Sequence, residues 1–228
     1  MSLRDDALEM HRENQGKLEI TPNVKVTNKQ QLSLAYSPGV AEPCKEIHED
    51  PRKVYEYTIK GNTVAVVTDG TAVLGLGNIG AEASIPVMEG KAALFKSFAG
   101  INGVPIALDT TDTQEIIKTV KRIQTNYGGI NLEDISAPRC FEIEETLKKE
   151  TNIPIFHDDQ HGTAIVTMAG LINALKIVDK ELTNIKVVLN GAGAAGIAIV
   201  KLLHAYGVNN MIMCDSKGAI YSGRNFGM

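Results

Sequence analysis

Lys186-Val187-Val188-Leu189-Asn190-Gly191-Ala192-Gly193-Ala194-Ala195-Gly196 is the stretch on which the fold turns. It begins as a short apolar strand and breaks into a G-x-G-x-x-G pattern. A helical run then carries Ile197, Ile199, Val200, Leu202 and Leu203. A second apolar run, Met211-Ile212-Met213-Cys214, ends at Asp215, about 20 residues past Gly196. Strand, glycine turn, helix, strand and terminal acid together make a complete dinucleotide-binding fingerprint. Gly191 permits the tight turn, Gly193 lets the backbone approach a pyrophosphate, and Gly196 lets helix and strand pack closely. The helix N-terminus then presents free N–H groups to the phosphates. The candidate cofactor contacts are therefore Gly191, Ala192, Gly193, Ala194, Ala195, Gly196 and Asp215. Asp215 is placed to hydrogen-bond the ribose hydroxyls. Its charge repels a 2′-phosphate, which favours NAD, while Lys217 two residues on could offset that repulsion and admit NADP.

Other apolar runs precede this unit: Val64–Val67, Pro105–Leu108 and Ile153–Phe156. Each is short and ends near Asp, Asn or Gly. Between them lie helical stretches, such as the stripe Ile116, Ile117, Val120 and Ile123. That stripe is announced by Asp112 with Glu115 three residues on, a capping-box pattern, and closed by Gly128-Gly129. Alternation of this kind predicts an α/β protein with a mostly parallel sheet. Residues 161–178 are apolar nearly all round, which predicts a buried helix bridging two domains. We place residues 1–160 in a first domain and 161–228 in the dinucleotide-binding domain. Residues 1–50 are polar and irregular, with a helical start and a turn at Ser37-Pro38-Gly39. A second G-x-G-x-x-G, Gly75-Leu76-Gly77-Asn78-Ile79-Gly80, lacks the downstream acid. It reads as a tight strand-to-helix loop, either contacting substrate through backbone N–H groups or serving as a packing turn.

Composition narrows the function classes. Of the 228 residues, 43% are hydrophobic and 22% charged, as in ordinary soluble globular proteins, and the formal net charge is −4. There is no basic patch to suit nucleic acid and no apolar run to span a membrane. The opening, Met1-Ser2-Leu3-Arg4-Asp5-Asp6, turns acidic at once and lacks a signal-peptide core. Three widely spaced cysteines, Cys44, Cys140 and Cys214, argue against a disulfide scaffold and for a reducing cytoplasm; all three read as packing residues.

Four segments, taken together and in order, resemble the malic enzymes, especially the short bacterial type: Leu34–Val40, Gly90–Leu94, Asn131–Ile135 and Phe156–Ala164. The resemblance implies a substrate- and metal-binding α/β domain followed by a Rossmann-type dinucleotide domain. It implies oxidative decarboxylation of malate with NAD or NADP, by a homodimer. It also implies that Glu133, Asp134 and Asp159 hold a divalent ion. A 2-hydroxy acid that loses CO2 after oxidation needs an electron sink, which a chelated Mg2+ or Mn2+ supplies, and such hard ions take carboxylate oxygens. From the residues alone, acids at loop ends and helix caps are the more ordinary reading. Adjacent residues of a regular strand point to opposite faces, so Glu133 and Asp134 can share an ion only where the backbone bends. Asp158 reads instead as a helix cap. His157 and His161 straddle a strand-to-helix turn, in supporting or packing roles.

The resemblance further makes Lys91 the base that takes the C2 hydroxyl proton and Tyr36 the acid that protonates C3. A lysine is ordinarily protonated near neutrality. Val87, Met88, Leu94 and Phe95 lie three and four residues from Lys91, so desolvation is expected to favour the neutral amine, and a nearby cation would do the same. Tyr36 precedes the Ser-Pro-Gly turn, which is expected to hold its ring. One departure stands out. Larger malic enzymes carry an arginine near the first glycine loop, where this chain has Thr71-Ala72-Val73-Leu74-Gly75. The chain ends at Met228, soon after the second strand of the dinucleotide unit, so a truncated nucleotide domain is expected. The competing readings are a malolactic-type enzyme, a metal-independent two-domain dehydrogenase, and an inactive oligomerising fragment.

Overall fold

The computed structural model describes residues 2–225; Met1 and Met228, named above, lie outside the described residues. Four short helices lead the chain: α1 (Leu3–Asn14), α2 (Lys29–Ala35), α3 (Ala41–Glu49) and α4 (Val54–Tyr57). Ser2 and Asp5 close a capping box at the start of α1. None of the four helices contains a buried residue, so this N-terminal portion lies on the outside of the molecule.

The first sheet follows. Strand β1 (Thr63–Thr68) is joined through α5 (Ala81–Ala99) to β2 (Asn102–Ala107). Helix α6 (Thr113–Ile123) leads to β3 (Gly129–Leu132), and α7 (Arg139–Glu150) leads to β4 (Ile155–His157). The strand order is β2-β1-β3-β4, and every pairing is parallel. The chain leaves β1 toward one edge and resumes at β3 on the other side. That reversal opens a crevice beyond the carboxyl ends of β1 and β3, where parallel α/β sheets bind ligands.

One core joins the sheet to α6 and α7. Ala65, Val67, Ile130 and Leu132 from the strands meet Ile116, Ile117, Val120, Ile143 and Leu147 from the helices. The stripe read from the sequence is thus the buried face of α6, and Asp112 caps it by accepting the Glu115 N–H. Helix α5 is seated against β2. A Cβ added at Gly103 would fall 2.6 Å from the Ala92 Cα, so only glycine there allows the helix this close. That contact fixes the height at which the neighbouring Lys91 leaves the helix.

Helix α8 (Asp158–Ile177) continues directly from β4 into a second sheet: β5 (Val187–Asn190), α9 (Ala194–Ala205), β6 (Met211–Asp215) and β7 (Gly218–Ala219). β5 and β6 pair in parallel, and β7 folds back antiparallel on β6. Met168, Leu203 and Val208 centre the second core.

The expected strands are all present. The structure adds β3, which leads into the acidic pair, and the short β7. Two expectations need correction. Helix α8 is not buried all round: Ile165, Val166 and Ile177 are exposed, because α9 and the end of β4 cover only one side of it. Cys44 is exposed on α3 rather than packed, while Cys140 is buried. Among the described residues, no helix is long and apolar enough to cross a membrane.

Candidate active site

Three loops at the carboxyl ends of β1, β3 and β4 build the site. β3 runs into Glu133 and Asp134, and β4 runs into Asp158 and Asp159 at the start of α8. The bend required for neighbouring acids to cooperate is present: Asp134 has φ of +54°, outside strand geometry. Glu133, Asp134 and Asp159 each offer a carboxylate oxygen, and these oxygens lie within 4.8 Å of one another. Oxygens sharing one small divalent ion sit about 3–4 Å apart, so the group needs little movement to close on one. The Asp134 N–H donates to Asp159 Oδ2 at 2.9 Å, tying the second and third acids together. Asp134 Oδ2 is buried and has no hydrogen-bond partner.

The electrostatics point the same way. Burial pushes the Glu133 carboxyl up to about 7, against the pull of Lys91 and of the Asn131 amide that donates to it at 2.8 Å. Burial and the charge of Asp159 push Asp134 up to about 6. Burial raises Asp159 too, with His157 opposing. Acids crowded away from water resist ionising together, and a divalent cation relieves both the burial cost and the mutual repulsion. The orphaned Asp134 oxygen, the all-oxygen donor set and the excess negative charge fit a hard cation such as Mg2+ or Mn2+.

Lys91 of α5 reaches into this cluster. Its Nζ donates to Asp158 Oδ2 at 2.7 Å and lies 3.3 Å from Glu133 Oε2. Desolvation by itself does not give the expected neutral amine. Burial acts to lower the Lys91 pKa, but Asp158 and Glu133 outweigh it and hold the group above its ordinary value. Two of the apolar neighbours counted on for desolvation, Val87 and Leu94, face outward and are exposed. Asp158, expected as a cap, serves instead as the partner of Lys91.

Tyr36 does not join this group. It closes α2 on the outer N-terminal portion and is 69% exposed, and among the described residues no hydrogen bond links its hydroxyl to the cluster. The expected turn does form: the Val40 N–H donates to the Tyr36 carbonyl at 2.7 Å. It fixes the backbone and leaves the ring uncovered.

Asp69, Arg139 and Glu144 escaped the sequence reading. Asp69, just beyond β1, is fully buried and accepts from Arg139 Nη2 at 2.8 Å. The same guanidinium donates to Thr71 Oγ1, Ser136 Oγ and the Thr111 carbonyl. Thr71 in turn receives the Ser136 N–H at 3.0 Å, and the Ala72 N–H donates to the Asp134 carbonyl at 2.9 Å. Arg139 therefore clasps the loops after β1, β2 and β3 around the bent acid pair. A charged residue five positions past Asp134 was the one available hint. Glu144 on α7 grips the first turn of α8 through Gln160 Nε2 at 3.3 Å and His161 Nε2 at 2.9 Å. His157 is fully buried behind Asp159, its Nε2 4.0 Å from Asp159 Oδ2, and burial holds it below its ordinary value as a neutral ring. The first glycine loop folds back on itself: the Ile79 and Gly80 N–H groups both donate to the Gly70 carbonyl.

The second glycine motif has the geometry that a dinucleotide needs. The Gly191 N–H donates to the Cys214 carbonyl at 2.8 Å, docking the loop onto the end of β6. Gly191 adopts φ of +133°, and a Cβ at Gly196 would fall 2.0 Å from the Gly191 carbonyl oxygen. Gly193, the N-cap of α9, supplies no side chain, so the first-turn N–H groups face outward for an anion. Asp215 ends β6 beside this loop, but it is engaged: both of its oxygens accept from Arg224 Nη2 at 2.8 Å.

Comparison with known proteins agrees with this layout. Residues 15–148 match the malic enzyme N-terminal domain, and residues 160–223 match the malic enzyme NAD binding domain. The whole chain is 71% identical to the bifunctional malic/malolactic enzyme of Bacillus subtilis, covering 56% of that protein. Over 90% of its length it is 65% identical to the NAD-dependent malic enzyme of Geobacillus stearothermophilus, covering 43% of it. The solved NAD-dependent malic enzyme of Thermotoga maritima superposes with a TM-score of 0.92 at 52% identity, over 96% of this chain and 58% of that one. The chain thus spans about half the length of these relatives. Its two matched regions, in this order and with this site between them, make it a member of the malic enzyme family.

Proposed function

We propose that the full-length protein oxidatively decarboxylates malate to pyruvate and CO2 while reducing NAD or NADP, in a divalent-metal-dependent reaction. In this reading residues 1–160 bind substrate and metal, residues 161–228 begin the dinucleotide domain, and the protein works as a cytoplasmic homodimer. The observation that carries it is the convergence of Glu133, Asp134 and Asp159 on one point with Lys91 at its edge. Those three carboxylates would hold the divalent cation, which when bound would supply Lewis-acid pull on the substrate and a positive charge opposing the ammonium form of Lys91.

The chain's own residues do the rest. Lys91, steered by Asp158, accepts the C2 hydroxyl proton as oxidation begins. Tyr36 returns a proton to C3 after CO2 departs; because it is exposed in the single chain, assembly or closure must bring its phenol to the substrate. Gly191–Gly196 and Asp215 hold the dinucleotide.

The test is NADH or NADPH formation by the full-length protein with malate and Mn2+ or Mg2+, with pyruvate assayed as product. Activity surviving EDTA would count against the metal site. Lys91→Ala is expected to lose at least about a hundredfold in turnover, the ordinary size of a general-base contribution, with NAD affinity nearly unchanged. Ordinary turnover in that variant would remove the assigned role. The Bacillus relative's designation as malic/malolactic favours a second outcome at the same site, release of lactate without net NADH, which a lactate assay in the same reaction separates.

A further inference from the structure

We propose that Arg224, by clasping both oxygens of Asp215, makes the nucleotide site accept a 2′-phosphate as well as a free ribose hydroxyl, so that this ion pair sets the balance between NADP and NAD. The proposal rests on the dinucleotide reading given above and adds a residue to it.

The placement is specific. β5 and β6 are neighbours in parallel register, Asn190 beside Cys214. The glycine loop is bonded to the Cys214 carbonyl, so Asp215, the next residue, stands at the loop's flank, where the adenosine ribose of such folds lies. A lone carboxylate there accepts the ribose hydroxyls and repels a 2′-phosphate. This carboxylate is not alone. The chain turns at Lys217, whose N–H donates to Asp215 Oδ1 at 2.8 Å, and returns along β7. Arg224 then reaches back to both Asp215 oxygens, with its side chain only 3% exposed.

Two consequences follow. A guanidinium stays charged at any physiological pH, so the Asp215–Arg224 pair carries no net charge, and Lys217 adds one positive charge to the same turn. An incoming 2′-phosphate therefore meets a neutral-to-positive corner. A carboxylate also offers about four acceptor positions. Arg224 and the Lys217 N–H use three of them, which leaves Asp215 able to take a ribose hydroxyl. Recognition of NAD thus survives while rejection of NADP is relieved.

The experiment measures dissociation constants for NAD and for NADP on the full-length protein by calorimetry, without malate or metal, with melting curves to establish folding. The wild type is expected to bind both within about tenfold of each other, and Arg224→Met to weaken NADP against NAD by about tenfold, as expected for an uncompensated charge near a surface. Arg224→Lys, which keeps the charge, is expected to retain most of the wild-type ratio, and Asp215→Asn to move it toward NADP. A ratio unchanged within twofold in both Arg224→Met and Asp215→Asn overturns the proposal. Equal weakening of both dinucleotides in Arg224→Met also overturns it, since that is the mark of a purely structural arginine. If the wild type binds neither dinucleotide, the underlying reading fails, and the proposal with it.

Discussion

Asp134 shows how one backbone angle makes a site. Two adjacent acids on a straight strand would face opposite ways; the positive φ at Asp134 turns its carboxylate to the side of Glu133. Asp159 stabilises that turn by accepting the Asp134 N–H, so it serves the site both as a carboxylate donor and as a brace. Asp159→Ala removes one of three donors and leaves the Asp134 N–H without its acceptor. We expect the Mn2+ concentration for half-saturation, read by electron paramagnetic resonance, to rise at least about tenfold, since even the partners that only orient metal ligands are worth roughly 10–100-fold in affinity. An unchanged titration would reject Asp159 as a ligand. The acids and Lys91 were legible because the family pattern quotes them as short contiguous motifs. The Lys91–Asp158 pair was not, since it joins residues 67 positions apart and depends on how closely α5 lies to the sheet. Desolvation of Lys91 was overestimated for the same reason: the apolar neighbours along its helix were visible, and Glu133 and Asp158, which face it, were not.

At the scale of elements, the strands were readable wherever four apolar residues ran together, as in β1 and β6. β3 was harder, because Asn131 interrupts it; that amide is buried and spent on Glu133 rather than on packing. Helix α8 misled in the other direction. Its sequence is apolar on all sides, yet the elements present cover only part of it, and composition records what a helix can bury rather than what lies against it. The loops were the least legible, because their order comes from Arg139, one side chain with partners after three different strands. Arg139→Met would leave the fully buried Asp69 carboxylate without its counter-ion. Breaking one side of a buried pair costs about 3–5 kcal/mol. Arg139 is itself 24% exposed, so we expect the lower end, about 3 kcal/mol, by denaturant unfolding. Adding Asp69→Asn removes the stranded charge and is expected to recover more than half of the loss. A single-variant cost below about 1 kcal/mol would show that the clasp does not hold the loops.

Across the whole molecule, α8 links the first sheet to the second core: its first turn carries Asp159 at the end of β4, and its later turns pack with α9 through Met168. The order of that first turn depends on Glu144, which reaches across from α7 to Gln160 and His161 and is paired with Lys148 on its own helix. Burial works to raise the Glu144 pKa, but Lys148 and His161 prevail and hold it below the ordinary glutamate value. A carboxylate depressed in the folded state stabilises the fold above its unfolded pKa, and that contribution fades as pH falls through the folded value. The effect of Glu144 is therefore full above about pH 4.5 and shrinks below it. Glu144→Gln keeps the shape and removes the charge. We expect it to cost about 1–3 kcal/mol at pH 7, the range for hydrogen bonds to charged groups. Measured as a difference between wild type and variant, which cancels the groups that Glu144 does not touch, the cost should narrow steadily as pH falls below about 4.5. A difference that grew as pH fell below about 4.5 would mean that the folded state raises the Glu144 pKa, and that α7 does not anchor α8 through an ionised carboxylate.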